Sequence, residues 1–323
     1  MPRVEALCIS DRKGERKHAV PSAVFRADFG IEHDAHAGSW HRQVSLLSSE
    51  DVEEVRKSAL PRLQPGDFAE NALVSGLDFA SIGLGTRLRL GENALLSVTQ
   101  IGKVCHAPCE IARLTGDCIM PRRGLFARVE TGGKVAVGDP VEVVSLVRRE
   151  VFQAVVLTIS DRCSRGEAID TAGPAVSKRL QEKLQAHVYR TEIIPDERET
   201  ISARLRHYAD GHSIDLIVTV GGTGFAPRDV TPEATRALVE RPTPGLDEAM
   251  RAASLAKTAH AVLSRGTSGI RGSTLILNLP GSERAAVENL DAVLTALPHG
   301  LEKLRGDPSD CGRPAPSKAP DAR

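Results

Sequence analysis

Residues 215–238 read DLIVTVGGTGFAPRDVTPEATRAL, and they decide how the second half of the chain is read. Leu216, Ile217, Val218, Thr219 and Val220 are all apolar or β-branched, the composition of a strand buried in a parallel sheet. The strand runs into Gly221-Gly222-Thr223-Gly224, a turn with almost no side-chain bulk. Asp229 follows, and Thr231-Pro232 then opens a helix, with Thr as N-cap and Pro at the first helical position. Strand, bare turn, carboxylate and helix start together let a phosphorylated ligand lie against backbone N–H groups. No Gly-Lys-Ser/Thr follows the glycines, so this is not a nucleotide P-loop.

Strand and helix patterns alternate on both sides of this stretch. Residues 153–159, 188–194 and 274–279 read as strands. Residues 174–186, through Val176, Leu180 and Leu184, and 198–209, through Ile201, Leu205 and Tyr208, read as helices. The alternation predicts a doubly wound α/β sheet that binds ligands at the C-terminal ends of its strands. Those ends carry Ser160-Asp161-Arg162, Pro195-Asp196-Glu197, Arg228-Asp229 and Pro280-Gly281-Ser282. The last of these precedes a helix whose apolar face includes Val287, Leu290, Val293 and Leu297. This second Gly-Ser turn at a helix start repeats the phosphate-binding signal. Taken singly, each carboxylate reads as a helix cap or a solvated loop residue; sharing one sheet edge, they point to a site.

The first half has a different texture. Its apolar runs are short (4–9, 44–47, 84–90, 94–98 and 141–144), and helical spacing is clear only near 49–57. Short strands with frequent turn signals predict a small β-barrel or sandwich. Two polar clusters interrupt the pattern. His33-Asp34-Ala35-His36 through His41-Arg42 holds three of the ten histidines within nine residues. A locally hydrogen-bonded loop, an anion site and a transition-metal site all fit it. Cys105-His106-Ala107-Pro108-Cys109, with Cys118 beyond, fits three chemistries in turn. They are a zinc site, buried small apolar residues, and a reactive thiol kept as thiolate by Lys103, Arg122 and Arg123.

Lys plus Arg and Asp plus Glu both total 42, and aromatics are 3%, so no nucleic-acid surface is expected. No apolar run approaches the ~18 residues of a membrane span, and no signal-peptide pattern opens the chain. Six cysteines in 323 residues do not suggest a disulfide scaffold. A cytoplasmic protein with reduced thiols is expected. Residues 145–150, SLVRRE, read as a short linker that need not be floppy. Residues 306–323, GDPSDCGRPAPSKAPDAR, read as a disordered tail in which Cys311 is incidental.

The first half resembles a MOSC domain, the module found at the C-terminus of molybdenum-cofactor sulfurases. The likeness rests on Phe29-Gly30-Ile31-Glu32, Asp34 to His36, His41-Arg42-Gln43-Val44-Ser45, Phe68-Ala69-Glu70-Asn71 and Thr99-Gln100-Ile101-Gly102-Lys103, and it continues in Pro121-Arg122-Arg123-Gly124-Leu125. It covers about residues 1–145 and implies a β-barrel that binds the cofactor, relays sulfur or detoxifies modified purines. The family's functional thiol maps onto Cys105, with Cys109 and Cys118 as alternatives. His33 stands where the family pattern usually has Gly; if that position needs a positive φ, His is a costly fit.

The second half, about residues 152–305, is similar to the molybdopterin adenylyltransferase family of MoaB/Mog type. The matching residues are Thr158-Ile159-Ser160-Asp161-Arg162, Ile194-Pro195-Asp196-Glu197, Gly221 through Pro232, and Pro244-Gly245 with Glu248 and Met250. Leu263-Ser264-Arg265 and Asn278-Leu279-Pro280-Gly281 complete them. The resemblance implies Mg²⁺-dependent transfer of AMP from ATP to molybdopterin. It assigns Asp196 and Asp229 as the functional acids and Mg²⁺ holders. It implies that Gly221, Gly222, Gly224, Pro280, Gly281 and Ser282 cradle phosphates. Ser160, Asp161, Thr223, Glu248, Ser264 and Arg265 are expected to contact substrate. The whole chain is thus expected to be an α+β multidomain protein. Residues 1–147 form its MOSC-like barrel, 152–305 its doubly wound molybdopterin domain and 306–323 its tail. A homotrimer, and partnership with molybdate-insertion and sulfurase proteins, are implied in the same way. The rival readings are a non-catalytic molybdopterin-binding scaffold and a zinc-stabilised β-domain joined to a nucleotide binder.

Overall fold

The structure is a computed structural model that describes residues 1–13, 15–58, 61–102, 118–212 and 214–308. Cys105, His106, Cys109, Lys103 and Cys311 lie outside the described residues.

The first half contributes β1 (Arg3–Ile9), β2 (His18–Val20), β3 (Ser22–Arg26), β4 (Gly30–Ile31), β5 (Val44–Ser48) and β6 (Ala72–Ser75). β7 (Arg87–Leu90), β8 (Ala94–Ile101), β9 (Leu125–Thr131), β10 (Gly133–Ala136) and β11 (Val141–Ser145) follow. Eight of them form one sheet in the order β11-β7-β8-β9-β5-β6-β1-β2, and β10-β3-β4 form a second sheet. Among the described residues the strand ladder does not close into a continuous barrel, but β1 brings the two edges of the larger sheet together. Leu7, Cys8 and Ile9 pair with β2, while Arg3 makes an isolated bridge to Pro140 and the Val4 N–H donates to the Asp139 carbonyl at 2.9 Å. Helix α1 (Ser49–Ser58) lies where the spacing predicts it. Glu50 and Asp51 in its first turn and Arg56 and Lys57 in its last complement the helix dipole. A short α2 (Met120–Arg123) precedes β9.

The second half is an α/β domain. Its strands are β12 (Gln153–Ile159), β13 (His187–Ile194), β14 (Leu216–Val220), β15 (Arg241–Pro242), β16 (Ser268–Arg271) and β17 (Thr274–Leu279). The sheet order is β13-β12-β14-β17-β16-β15. The first four strands run parallel and the last two join antiparallel. Every residue of β12, β14 and β17 is buried, which explains their unbroken apolar composition. The helices are α3 (Asp161–Ser164), α4 (Ala172–Lys183), α5 (Arg198–Gly211), α6 (Thr231–Arg236), α7 (Pro244–Leu255), α8 (Glu283–Val293) and α9 (Leu297–Leu304).

Three boundaries differ from the sequence reading. Helix α4 starts two residues before Pro174, because the Asp170 carboxylate accepts the Gly173 N–H at 2.9 Å and the Thr158 hydroxyl at 2.7 Å. The N-cap of α6 is Val230, and Thr231 is the first helical residue. Of the expected disordered tail, residues 306–308 fold back on α9, with Lys303 Nζ 3.1 Å from Asp307 Oδ2.

The linker is anchored. Arg149 N–H donates to the Ser81 carbonyl at 2.9 Å, and the Arg305 guanidinium donates to the carbonyls of Glu150 and Val151 at 2.7 and 2.9 Å. One apolar cluster runs through both halves, from Leu88 and Leu96 to Val155 and Leu205. Gly85 shows how closely they dock: a Cβ there would lie 2.7 Å from His187 Cε1.

Candidate active site

The C-terminal ends of β12, β14 and β17 converge on the Gly221-Gly222 turn, where both glycines have positive φ (111° and 63°). A Cβ on Gly221 would sit 2.3 Å from the Ile159 carbonyl oxygen. One on Gly222 would sit 2.3 Å from Thr231 Oγ1 and 3.1 Å from Asp196 Oδ1. The turn is therefore glycine for conformation and for space together. Gly281 approaches so closely that its Cβ would lie 3.3 Å from Gly221 Cα, and the Gly221 N–H donates to the Leu279 carbonyl at 3.0 Å. The two glycine turns expected to bind phosphate thus stand side by side. Ser282 and Ser160 cap helices, accepting the N–H groups of Ala285 at 3.4 Å and Cys163 at 3.2 Å.

Three acids share this edge. The Asp161 N–H donates to Asp196 Oδ2 at 2.7 Å, and the Asp196 N–H donates to Asp161 Oδ1 at 3.1 Å. Arg228 grips Asp161 with two bonds of 2.8 and 2.9 Å and holds its carboxyl below the usual carboxylate range. The Asp196 carboxyl is pushed up, by burial first and by the charges of Asp161 and Asp229 in addition. Asp229 Oδ2 accepts the Ala226 N–H at 2.8 Å. Asp196 and Asp229 therefore each have one oxygen fixed by a backbone donor, with no hydrogen bond to the other among the described residues. Two such carboxylates suit a hard, oxygen-seeking cation completed by phosphate oxygens, and a cation there would offset the repulsion that raises Asp196.

Other expected contacts are arranged differently. Arg265 is a clamp on the loop: its guanidinium donates to the carbonyls of Gly224 (2.6 Å) and Asp229 and to Glu233 Oε1 (2.5 Å). Its N–H donates to the Thr223 carbonyl at 3.0 Å. Ser264 ends the 3₁₀ turn Ala259–Leu263, on the approach to that clamp. Glu248 is exposed on α7, while its neighbour Asp247 is buried and accepts the Ser268 hydroxyl at 2.6 Å. Burial pushes the Asp247 carboxyl up. Asn278, which carries part of the family resemblance but was given no role, is 2% exposed and donates to Thr219 and Thr235, each at 2.9 Å. The readable signal was an amide inside the apolar run TLILNL. Thr231 was read as a cap, but its hydroxyl is buried without a hydrogen-bond partner, against Gly222.

In the first half, Asp34 is fully consumed. It is buried, pairs with buried Lys17, and accepts the N–H groups of Ser10 (3.0 Å) and His36 (3.1 Å). Burial opposes its ionisation, but these donors outweigh burial and hold its carboxyl down. His33 has a φ of 64°, so the position normally held by glycine keeps its left-handed backbone here despite the imidazole. His41 turns to the other half, with Nε2 2.9 Å from Gln100 Oε1 and its ring stacked on His212. Among the described residues no group of three His, Cys, Asp or Glu could hold a metal ion. Cys118 is buried; the zinc and thiol readings centred on Cys105 and Cys109 fall outside the described residues.

Comparison with known proteins agrees with this division. Residues 33–142 match the MOSC domain family, and residues 155–299 match a family described as a probable molybdopterin binding domain. The molybdenum cofactor synthesis protein cinnamon of Drosophila melanogaster is 45% identical over 154 residues, which are 48% of this chain and 26% of that protein. The chain thus spans about a quarter of the length of that relative. The molybdopterin adenylyltransferase of Helicobacter pylori strain J99 is 42% identical over 153 residues, 47% of this chain and 87% of that protein. The crystal structure of the molybdopterin biosynthesis enzyme MoaB from Thermus thermophilus aligns with a TM-score of 0.47 at 50% identity, over 50% of this chain and 100% of that one. A buried parallel sheet, its paired glycine turns and a relative matched over most of its length lead to one assignment: the chain belongs, through its second half, to the molybdopterin adenylyltransferase family, with a MOSC domain fused before it.

Proposed function

We propose that the second half transfers AMP from ATP to the terminal phosphate of molybdopterin, releasing pyrophosphate, as a step in molybdenum cofactor biosynthesis. The observation that carries this reading is the Gly221-Gly222 turn with Asp196 and Asp229 set around it and Gly281 alongside. The attacking group is a phosphate already ionised, so no strong general base is needed. The barrier is the meeting of two anions, which positioning and opposite charge lower. Backbone N–H groups of Gly222, Thr223, Gly224, Gly281 and Ser282 receive phosphate oxygens. Asp196 and Asp229 hold Mg²⁺, which when bound supplies the charge that lets an anionic nucleophile approach the α-phosphate. Asp161 and Arg228 fix the Asp196 backbone, Arg265 holds the loop from Thr223 to Asp229, and Ser160, Pro280 and Ser264 border the site. Glu248, exposed on α7, meets substrate or a second copy of the chain rather than this turn.

The first half handles the cofactor or its sulfur, with Cys105 as the thiol. Phe225, Val262 and Leu263 are exposed at 69%, 65% and 45% near the site, which supports burial against further copies in a trimer. The deciding experiment incubates the full chain with molybdopterin, ATP and Mg²⁺ and detects pyrophosphate together with an adenylylated product. Molybdopterin that binds but is unchanged in mass assigns a non-catalytic scaffold instead.

A further inference from the structure

The seam between the halves holds a cleft of about 510 Å³ that neither half forms alone. That volume lies within the range of small-molecule sites, roughly 300–1,000 Å³. Trp40, His41 and Arg128 line one wall, and Tyr189, Glu192 and His207 line the other. The rings are mutually arranged: His41 stacks on His212 at 4.6 Å and 29°, Trp40 lies edge-on to His41 at 6.0 Å, and Tyr189 stands 5.7 Å from His212. Burial shifts the imidazoles of His41, His207 and His212 toward the neutral form. Neutral rings present flat faces on which another planar ring stacks.

Glu192 adds direction. Its Oε1 accepts the Tyr208 hydroxyl at 2.5 Å, but its buried Oε2 has no hydrogen-bond donor. Arg204 Nε approaches that oxygen to 3.2 Å as a charge partner without hydrogen-bond geometry. A buried carboxylate oxygen left without a donor is costly, and a ring N–H or amino group would satisfy it. At the rim Arg128 is exposed and only loosely paired, 3.4 Å from Asp28, so its guanidinium has donors left for an anion. We propose that this cleft binds a planar heteroaromatic ring bearing N–H or amino donors on one edge and an anionic group on the other, the chemistry shared by guanine nucleotides and pterins.

The chain carries its own reporter. Trp40 is the single tryptophan and lines the cleft beside His41, while even Glu192, at the end of the cleft nearer Asp196, is four steps of ~3.3 Å, roughly 13 Å, from it along the chain. Its emission therefore reads the cleft and not the glycine turns. The test titrates the full chain with guanosine monophosphate and with pterin-6-carboxylate, using ribose 5-phosphate as the ringless control. A saturable change in Trp40 emission is expected with a ring and none with the control. Glu192→Gln should weaken it about tenfold or more, the worth of a hydrogen bond to a charged group. His207→Leu should also weaken it, through lost stacking. Neither substitution should alter pyrophosphate release, which separates this site from the adenylylation site. A response to the nucleotide alone assigns a purine, and one to the pterin alone assigns a pterin. No saturable change with either ring overturns the proposal, as does equal affinity in wild type and both variants.

Discussion

Gly222→Ala tests the active-site reading most directly. The residue sits at a φ of 63°, where an added Cβ costs roughly 1–2 kcal/mol in backbone strain alone. The same Cβ would stand 2.3 Å from Thr231 Oγ1 and 3.1 Å from Asp196 Oδ1. Thr231 has no exposed surface, so it must shift by about 0.7 Å merely to relieve the clash and by about 1.1 Å to reach ordinary contact. It begins α6 and donates its N–H to the Gly222 carbonyl at 3.2 Å, so the displacement carries the helix start and the adjoining Asp229 away from Asp196. A misplacement approaching 1 Å costs on the order of 100-fold in rate where the chemistry depends on positioning. The expected result is therefore a loss of about 2 kcal/mol in urea unfolding with a ~100-fold fall in pyrophosphate release at saturating substrate. Thr231→Ala in the same chain removes the hydroxyl that the new Cβ meets and should return part of the activity. Pyrophosphate release within about threefold of wild type in Gly222→Ala would refute the view that this turn positions the acids.

Asp229→Ala and Asp196→Ala should each lower turnover by ~100-fold or more, since each removes a preorganised electrostatic contact; wild-type rates in both would end their assignment. Chelation with EDTA should stop pyrophosphate release and added Mg²⁺ should restore it, and activity indifferent to both would remove the metal from the scheme. Acid should loosen the seam. Burial pushes His212 down to about 3, while the unfolded imidazole titrates near ~6.5. Between these values the unfolded chain binds a proton that the folded chain refuses, so stability present above neutral pH is lost as pH falls, reaching about 3 kcal/mol by pH ~4.5. Urea midpoints measured from pH 7.5 downward should fall less steeply in His212→Gln, and parallel curves for the two proteins would exclude His212 as the cause.

The second half was legible because its strands bury both faces. Runs such as LIVTV and TLILNL admit no other reading once helical patterns alternate with them, and sheet topology then places the polar strand ends on one edge. What escaped was set by side-chain direction. Adjacent helical residues differ by about 100° around the axis, so Glu248 faces outward from α7 while the carboxylate beside it, Asp247, turns inward to Ser268. Arg265 was expected to contact substrate from the family resemblance alone; its guanidinium is taken up by the carbonyls of Gly224 and Asp229 and the Glu233 carboxylate. In the first half, no local pattern announces that β1 shares its edge between β2 and Pro140, so how the two edges of the sheet meet was not legible.

The seam bears on what the fusion accomplishes. Gln153, Asp215 and His212 line a cavity there of about 720 Å³ with Gln100 and Gly102 of the first half. These second-half residues begin or precede β12 and β14, at the N-terminal edge of the sheet. The glycine turns and acids stand at the other edge, after Ile159 and Val220. A strand of seven residues at ~3.3 Å each puts about 20 Å of packed sheet between the two. A ligand leaving the Gly221 turn therefore cannot reach the first half of the same chain through the sheet and must travel over the surface. Between the glycine turn and the first half the gain from fusion is then a raised local concentration, set by a short, anchored connection, and the seam cleft is a site apart from that turn. The anchoring of residues 148–151 by Ser81 and Arg305 makes that separation a fixed one.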